Sequence, residues 1–155
     1  MKRWSFLEKE VLHDYLNPAD LYLTRYRLVQ TPWFGVFVHC IHRPDKDRFL
    51  HDHPWSFTSI VLRGGYKEVC RRDTNSFTFA KTHKAGSVHR MPLKNGYHAI
   101  RTLLRVPTWT LIFTGRRVKD WGYLTSGGWV HHAVVAASEQ YRMLQEAEAL
   151  PFSDA

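Results

Sequence analysis

The chain has 155 residues, 44% of them hydrophobic and 23% charged, values that are typical of one globular domain and exclude a disordered chain. Its 22 lysines and arginines outnumber its 14 acidic residues, and the resulting net charge of +8 favours anionic partners. Two cysteines and the lack of a long apolar run exclude a disulfide framework and a membrane span, so we expect a soluble, cytoplasmic protein with no membrane partner.

The first predicted element is a short N-terminal helix over about 5–16. Ser5 and Glu8 have the spacing of a capping box, in which each side chain satisfies a free backbone N–H at the start of a helix. Leu7 and Val11 then recur near the helical period.

The next hundred residues predict a series of strands. From Leu21 to about Thr125, short segments rich in β-branched and aromatic residues alternate with turn residues, and no helical run separates them. This excludes parallel βαβ units and predicts an all-β, antiparallel sandwich, jelly roll or barrel with a core over about 21–130. The predicted strands are 21–30, 33–41, 49–53, 56–62, 66–70, 76–81, 87–91, 97–103, 108–114 and 121–125.

A second helix is predicted near the end of the chain, over about 138–149, where good helix formers dominate. Tyr141 and Leu144 would begin an apolar stripe on it, to which Met143, Ala147 and Leu150 could contribute. We find no repeat or linker, so 1–155 is predicted to be a single domain.

Two histidines in the segment His51-Asp52-His53-Pro54-Trp55 have the spacing of a metal chelate. Successive side chains of an extended strand point to opposite faces, so His51 and His53 share one face while Asp52 faces away. Forty-five residues later, His98 follows a tight turn and begins another predicted strand, where a hairpin can return it to the first pair. Three neutral imidazoles would then meet inside the β structure.

These segments resemble the two motifs of the cupin superfamily. His51, His53 and Gly65 keep the spacing of the first motif. Gly86, Pro92 and His98 follow the second, with one extra residue before the histidine. The run His51-Asp52-His53-Pro54-Trp55 is also similar to one found in small cupin-like bacterial and phage proteins, which extends the likeness to about 21–131. The resemblance implies a double-stranded β-helix, or jelly-roll barrel, and a metal site.

The chain departs from the cupin pattern at Thr58, which stands where the first motif has a glutamate. The remaining set of three histidines is similar to that of the thiol dioxygenases of the same superfamily. That similarity favours Fe(II) as the ion, although imidazole also suits zinc, manganese and nickel.

Four further residues are candidates for the site. His89 is close enough in sequence to replace His98 as a ligand or to move protons, and His39 would point into the cup if it is not simply a core histidine. Arg25 and Arg27 share one face of a predicted strand, from which an arginine can bind a carboxylate or phosphate; an exposed basic face is the alternative. His42, His131 and His132 are predicted to be surface residues.

The sequence thus predicts a metal-binding cupin, with a mononuclear non-haem Fe(II) dioxygenase acting on a small anionic substrate as the leading hypothesis. One alternative is a non-redox isomerase, epimerase or hydrolase in which the metal is a Lewis acid and the substrate resembles a sugar or nucleotide. Another is a cupin without catalysis that binds an anionic ligand, with nucleic acid a less favoured partner because the basic residues are scattered. By analogy with other small cupins, we also expect a homodimer.

Overall fold

The structure is a computed structural model of the chain. It describes residues 4–13, 17–46, 49–73, 75–94 and 96–148.

Twelve strands and one helix are found in these residues. The strands are β1 (Ser5–His13), β2 (Leu21–Gln30), β3 (Gly35–Ile41), β4 (Leu50–His51), β5 (Phe57–Arg63), β6 (Gly65–Arg71), β7 (Phe79–Lys84), β8 (Val88–Met91), β9 (Tyr97–Leu103), β10 (Thr108–Thr114), β11 (Gly122–Thr125) and β12 (Gly128–His131), and the helix is α1 (His132–Glu148). Three predicted strands, 21–30, 97–103 and 108–114, have the bounds that the structure gives them.

The strands form two six-stranded sheets in which every described pair of neighbours is antiparallel. The first sheet has the order β1-β2-β3-β10-β5-β8, and the second has the order β12-β11-β4-β9-β6-β7. This arrangement confirms the predicted all-β antiparallel fold.

The core lies between the facing surfaces of the two sheets. In the first sheet, Phe37, Ile112, Ser59 and His89 are successive partners in register across β3, β10, β5 and β8. Residues opposite one another in register point to the same face of a sheet, and all four are buried. The polar side chains of Ser59 and His89 are therefore buried beside apolar ones. A buried polar group needs a hydrogen-bond or metal partner inside the core.

The predicted N-terminal helix over about 5–16 is wrong: its described part is strand β1. Glu8 lies opposite Arg27 and Glu10 opposite Arg25, so the two acidic residues of β1 meet the two arginines of β2. Pairing with β2, which the local pattern does not reveal, therefore overrides the capping-box signal. Residues 14–16 of the predicted helix lie outside the described residues.

The C-terminal helix is present but begins at His132, six residues before the predicted start at 138. It packs against β11 and β12, the second of which was not predicted. Of the predicted apolar stripe, Leu150 lies outside the described residues, and the structure does not describe the side chains of the other members, Tyr141, Met143, Leu144 and Ala147. No helix among the described residues has the length and apolar character needed to cross a membrane.

Candidate metal centre

Two of the three predicted ligands are fixed by the register of the second sheet. His51 on β4 lies directly opposite His98 on β9, and His98 lies opposite Cys70 on β6. Strand β4 ends at His51, so the predicted strand over 49–53 is too long and His53 lies in the irregular segment that follows. The three histidines therefore come from two neighbouring strands and one loop.

The three rings converge at one point. The centroid of the His51 ring is 5.2 Å from that of His53 and 4.9 Å from that of His98, and the last two are 5.0 Å apart. The Nε2 atoms of His53 and His98 are 2.8 Å apart. One ring nitrogen of each histidine lies within 4.8 Å of the others. The structure thus brings together His51, His53 and His98, residues from segments far apart in the chain.

This donor set fits a divalent ion. Two imidazole nitrogens that each lie about 2.1 Å from one ion, at a right angle, are about 3.0 Å apart, close to the separation of the two Nε2 atoms. Nδ1 of His51 is buried and has no hydrogen-bond partner. Buried polar atoms normally have a partner, and a cation among the three rings would be a partner for their nitrogens.

Burial keeps the imidazoles in the form that binds metals. Burial is the main cause that lowers the pKa of His51 to about 4, and burial followed by the neighbouring His98 and His51 places the pKa of His53 well below its ordinary value. Both rings are therefore neutral near pH 7, with a lone pair available for an ion.

The orientation of His98 is set by Glu68 on β6. The Oε2 atom of Glu68 accepts a hydrogen bond from Nδ1 of His98 at 2.7 Å. A proton held on Nδ1 leaves Nε2 as the acceptor nitrogen, which is the one that faces His53. Glu68 is completely buried, and its hydrogen bonds with His98 and His83 help to lower its carboxyl pKa to about 2 in spite of burial.

Asp52 points away from the rings, as the alternation of side chains predicts. Its Oδ1 accepts a hydrogen bond from the backbone N–H of Gly122 at 2.8 Å, and its Oδ2 accepts one from Nε1 of Trp129 at 3.2 Å. Oδ2 also pairs with Lys119. Asp52 is buried and lies between the two candidate ligands His51 and His53 in sequence. Its hydrogen bonds therefore hold this segment against β11 and β12.

The motif position at Thr58 lies outside the site. Thr58 is opposite Arg90 and Phe113, on the other face of β5 from Phe57 and Ser59. The inward-facing neighbour is Phe57, whose ring centroid is 4.8 Å from that of His53. The Phe57 ring therefore packs against the imidazoles on this side of the site.

His39 and Arg25 form a polar pair on the inner face of the first sheet. They are opposite one another in register, and Nε of Arg25 donates to Nε2 of His39 at 3.2 Å. Burial, followed by Arg25, lowers the pKa of His39 to about 3. The Arg25 guanidinium is also among the groups that lower the pKa of His53, so its positive charge acts on the three-histidine site.

Arg27 lies beside this pair but is held by β1. Its Nη1 is 2.6 Å from Oε2 of Glu8, while Glu10 pairs with both arginines. Nε of Arg27 is buried without a hydrogen-bond partner. The sequence analysis predicted that the two arginines share one strand face. It did not predict that β1, with Glu8 and Glu10, pairs beside them in the same sheet.

His89 does not join the three histidines. It lies instead with Glu68 and His83, and Glu68 and His83 were both missed by the sequence interpretation. A signal was available in β6, where Tyr66, Glu68 and Cys70 alternate, which puts a carboxylate on the same strand face as two core residues.

The histidines that were predicted to lie at the surface are only partly exposed. His42 contacts Thr24, with 3.2 Å between Nε2 and Oγ1. The ring of His132 packs against Trp121, with centroids 4.4 Å apart, and the side chain of His131 is 34% exposed. None of them belongs to the three-histidine site.

Comparison with known proteins identifies the fold. No family model matches the sequence, and no curated protein matches it either. A cupin 2 conserved barrel domain protein from Rhodopseudomonas palustris is similar in structure, with a TM-score of 0.53 and 11% identity over 79% of this chain and 77% of that chain.

Two larger proteins contain a similar domain. The capsular polysaccharide assembling protein CapF from Staphylococcus aureus has a TM-score of 0.54 and 13% identity over 72% of this chain, which spans only 32% of CapF. Fe(II)-HppE, solved with the alternative substrate (S)-1-HPP, has a TM-score of 0.50 and 18% identity, covering 70% of this chain and 56% of that one. Such low identities establish a shared architecture and leave the resemblance to thiol dioxygenases a prediction. The chain has a cupin fold, with a three-histidine group inside it that is suited to a metal ion.

Proposed function

We propose that the chain is a mononuclear metal enzyme, an Fe(II)-dependent dioxygenase that acts on a small anionic substrate. The observation that carries this proposal is the convergence of His51, His53 and His98 on one point, with no carboxylate from the described residues in the group. Three protein ligands leave coordination positions open on an octahedral ion. Bound Fe(II) would supply the redox chemistry, and Fe(II)-HppE, which is similar in fold, is a protein with that ion.

The substrate's charge is the second part of the proposal. Arg25 offers a guanidinium on the inner face of the first sheet, close enough to lower the pKa of His53. Its partner Glu10 is 3.3 Å away and 42% exposed, so a substrate carboxylate or phosphate could take the place of this carboxylate. A small anion held there would have its other end directed to the three-histidine site.

The remaining residues position the reactants. Glu68 keeps the Nδ1 proton of His98 in place, Phe57 excludes water beside His53, and the His39 ring beside Arg25 is neutral because of its low pKa. In a dioxygenase reaction both atoms of O2 enter the product and the electrons come from the substrate, so no separate reductant is needed.

The first experiment measures the ion and its open positions. Protein loaded anaerobically with Fe(II) should bind about one equivalent at this site and should form an Fe–NO complex with nitric oxide, an O2 substitute detected by electron paramagnetic resonance. His53→Ala should bind one equivalent of Fe(II) less than the wild type and give a weaker Fe–NO signal, whereas the matched variant His131→Ala, at a partly exposed histidine, should match the wild type in both. An unchanged Fe–NO signal in His53→Ala would contradict the proposal.

The second experiment separates the reaction classes. O2 consumption is measured with Fe(II)-loaded protein and a panel of small thiol, hydroxy and phosphono carboxylates. Substrate-dependent uptake that is weaker in Arg25→Gln supports the dioxygenase. Turnover of sugar phosphates in anaerobic buffer with zinc or manganese would instead support Lewis-acid chemistry and overturn the redox assignment.

A further inference from the structure

A second group of metal-type side chains lies between the two sheets. Glu68 on β6 and His83 on β7 belong to the second sheet, and His89 on β8 belongs to the first. Their exposures are 0%, 8% and 4%, so all three are buried. The group therefore connects the sheets inside the core, at the strands β7 and β8 that end the two sheet orders.

The donor atoms have the separations of ligands around one ion. Oε1 of Glu68 is 2.8 Å from Nε2 of His83 and 3.3 Å from Nε2 of His89. One donor atom of each residue lies within 4.8 Å of the other two. Ligand atoms that are each about 2.1 Å from a common cation lie roughly 3 Å apart or slightly more, so these distances match.

Hydrogen bonding within the protein leaves part of this group unexplained. Nδ1 of His89, the ring nitrogen other than the one beside Glu68, is buried and has no hydrogen-bond partner, so hydrogen bonds do not account for the position of this ring. The same oxygen of Glu68 faces Nε2 of both imidazoles, whose rings stack with their centroids 4.6 Å apart.

We propose that Glu68, His83 and His89 form a second site for a divalent transition-metal ion. Two imidazoles and a carboxylate are a donor set suited to zinc, Fe(II) or manganese. The other oxygen of Glu68 accepts the Nδ1 proton of His98, so one carboxylate joins this site to the three-histidine site. The inference does not depend on the proposed dioxygenase activity, because it concerns only binding of the ion.

The test is the stoichiometry of zinc. Protein stripped with a chelator is reloaded with Zn²⁺, freed of excess metal by gel filtration and analysed for zinc and protein by mass spectrometry. The wild type should hold two equivalents. His83→Ala and His89→Gln should each hold one, His53→Ala should hold one, and His53→Ala combined with His83→Ala should hold none.

The variants distinguish this proposal from the first. Neither His83 nor His89 is in the three-histidine group, so failure of that site would appear as an unchanged zinc content in His53→Ala. The partly exposed His131→Ala is the matched control and should keep two equivalents. Circular dichroism shows which variants are folded. One equivalent in the wild type that remains in a folded His83→Ala variant, or two in a folded His83→Ala or His89→Gln variant, would overturn the second site.

Discussion

Glu68 and His98 are joined by a hydrogen bond of 2.7 Å from Nδ1 of the imidazole to Oε2 of the carboxylate, although the residues come from different strands. The bond directs Nε2 of His98 at His53 and holds a negative charge next to the three rings. Glu68 thus orients a candidate metal ligand, although Glu68 is not one of the residues that match the cupin motifs.

Glu68→Gln should therefore weaken metal binding at the three-histidine site by about 10- to 100-fold. The amide carries no charge and can present either its oxygen or its nitrogen to Nδ1 of His98. The measurement is competition between the protein and a chelator for Fe(II) or Zn²⁺, made with the His83→Ala substitution also present so that only the three-histidine site is loaded. Glu10→Gln alters a partly exposed carboxylate and should leave the affinity unchanged; equal affinities in wild type and Glu68→Gln would refute this role of Glu68.

His39 should make the metal-free protein less stable in mild acid. Its pKa is about 3 in the folded chain, whereas the ordinary value for a solvated histidine is 6.5, so between these values the unfolded state binds a proton that the folded state does not. The free energy of unfolding then falls as pH drops through 6.5, by up to about 1.4 kcal/mol per pH unit for each such histidine. His51, with a pKa of about 4, contributes in the same direction.

His39→Gln should reduce this slope while His51 retains its share. Urea unfolding is measured at several pH values between about 7 and 5. The slope is the diagnostic quantity, because loss of the bond to Arg25 changes the stability at every pH. A variant with the slope of the wild type would show that His39 is protonated equally in both states.

Asp52→Asn should destabilise the fold by about 2 kcal/mol, because an amide in the same pocket cannot serve Gly122, Trp129 and Lys119 together. The change is read as a lower midpoint of urea unfolding. Asp120→Asn is the control, since Asp120 forms an exposed pair with Arg117 and such pairs contribute little. Equal midpoints for the two variants would show that the buried contacts of Asp52 do not stabilise the fold.

Gly65→Ala should cost about 3 kcal/mol or more. Gly65 has a φ of +149°, and a Cβ there would lie 2.4 Å from the backbone oxygen of His83. Gly86 has a φ of +86° with nothing within 4 Å of a new Cβ, so Gly86→Ala carries backbone strain alone, about 1–2 kcal/mol. Thermal or urea unfolding compares the two. A smaller loss in Gly65→Ala than in Gly86→Ala would contradict the steric argument.

The local sequence predicted a strand correctly where the residue pattern of that segment alone was enough to identify it. Leu21–Gln30 and Thr108–Thr114 combine β-branched and aromatic residues with clear turn signals at their ends. Ser5–His13 failed because helix signals within the segment competed with pairing to β2, and Glu10 meets Arg25 only in the folded sheet. Non-local pairing of this kind leaves little trace in a short window.

The same distinction applies to the candidate site. His51 and His53 are predictable because their spacing is local, and His98 was linked to them through a turn and a family resemblance. Glu68, His83 and His89 come from three strands with no shared motif, so only the packing of two sheets brings them together. The predicted homodimer and the nucleic-acid alternative stay predictions.

The backbone ladder between β4 and β9 has a consequence for ion choice. His51 and His98 are directly paired across it, so the spacing of their Cα atoms is set by the sheet, whereas His53 stands beyond the end of β4. Cations of different radius would thus be accommodated mainly by displacement of His53. Selectivity among them then depends on how firmly Pro54 and the following loop restrain that residue.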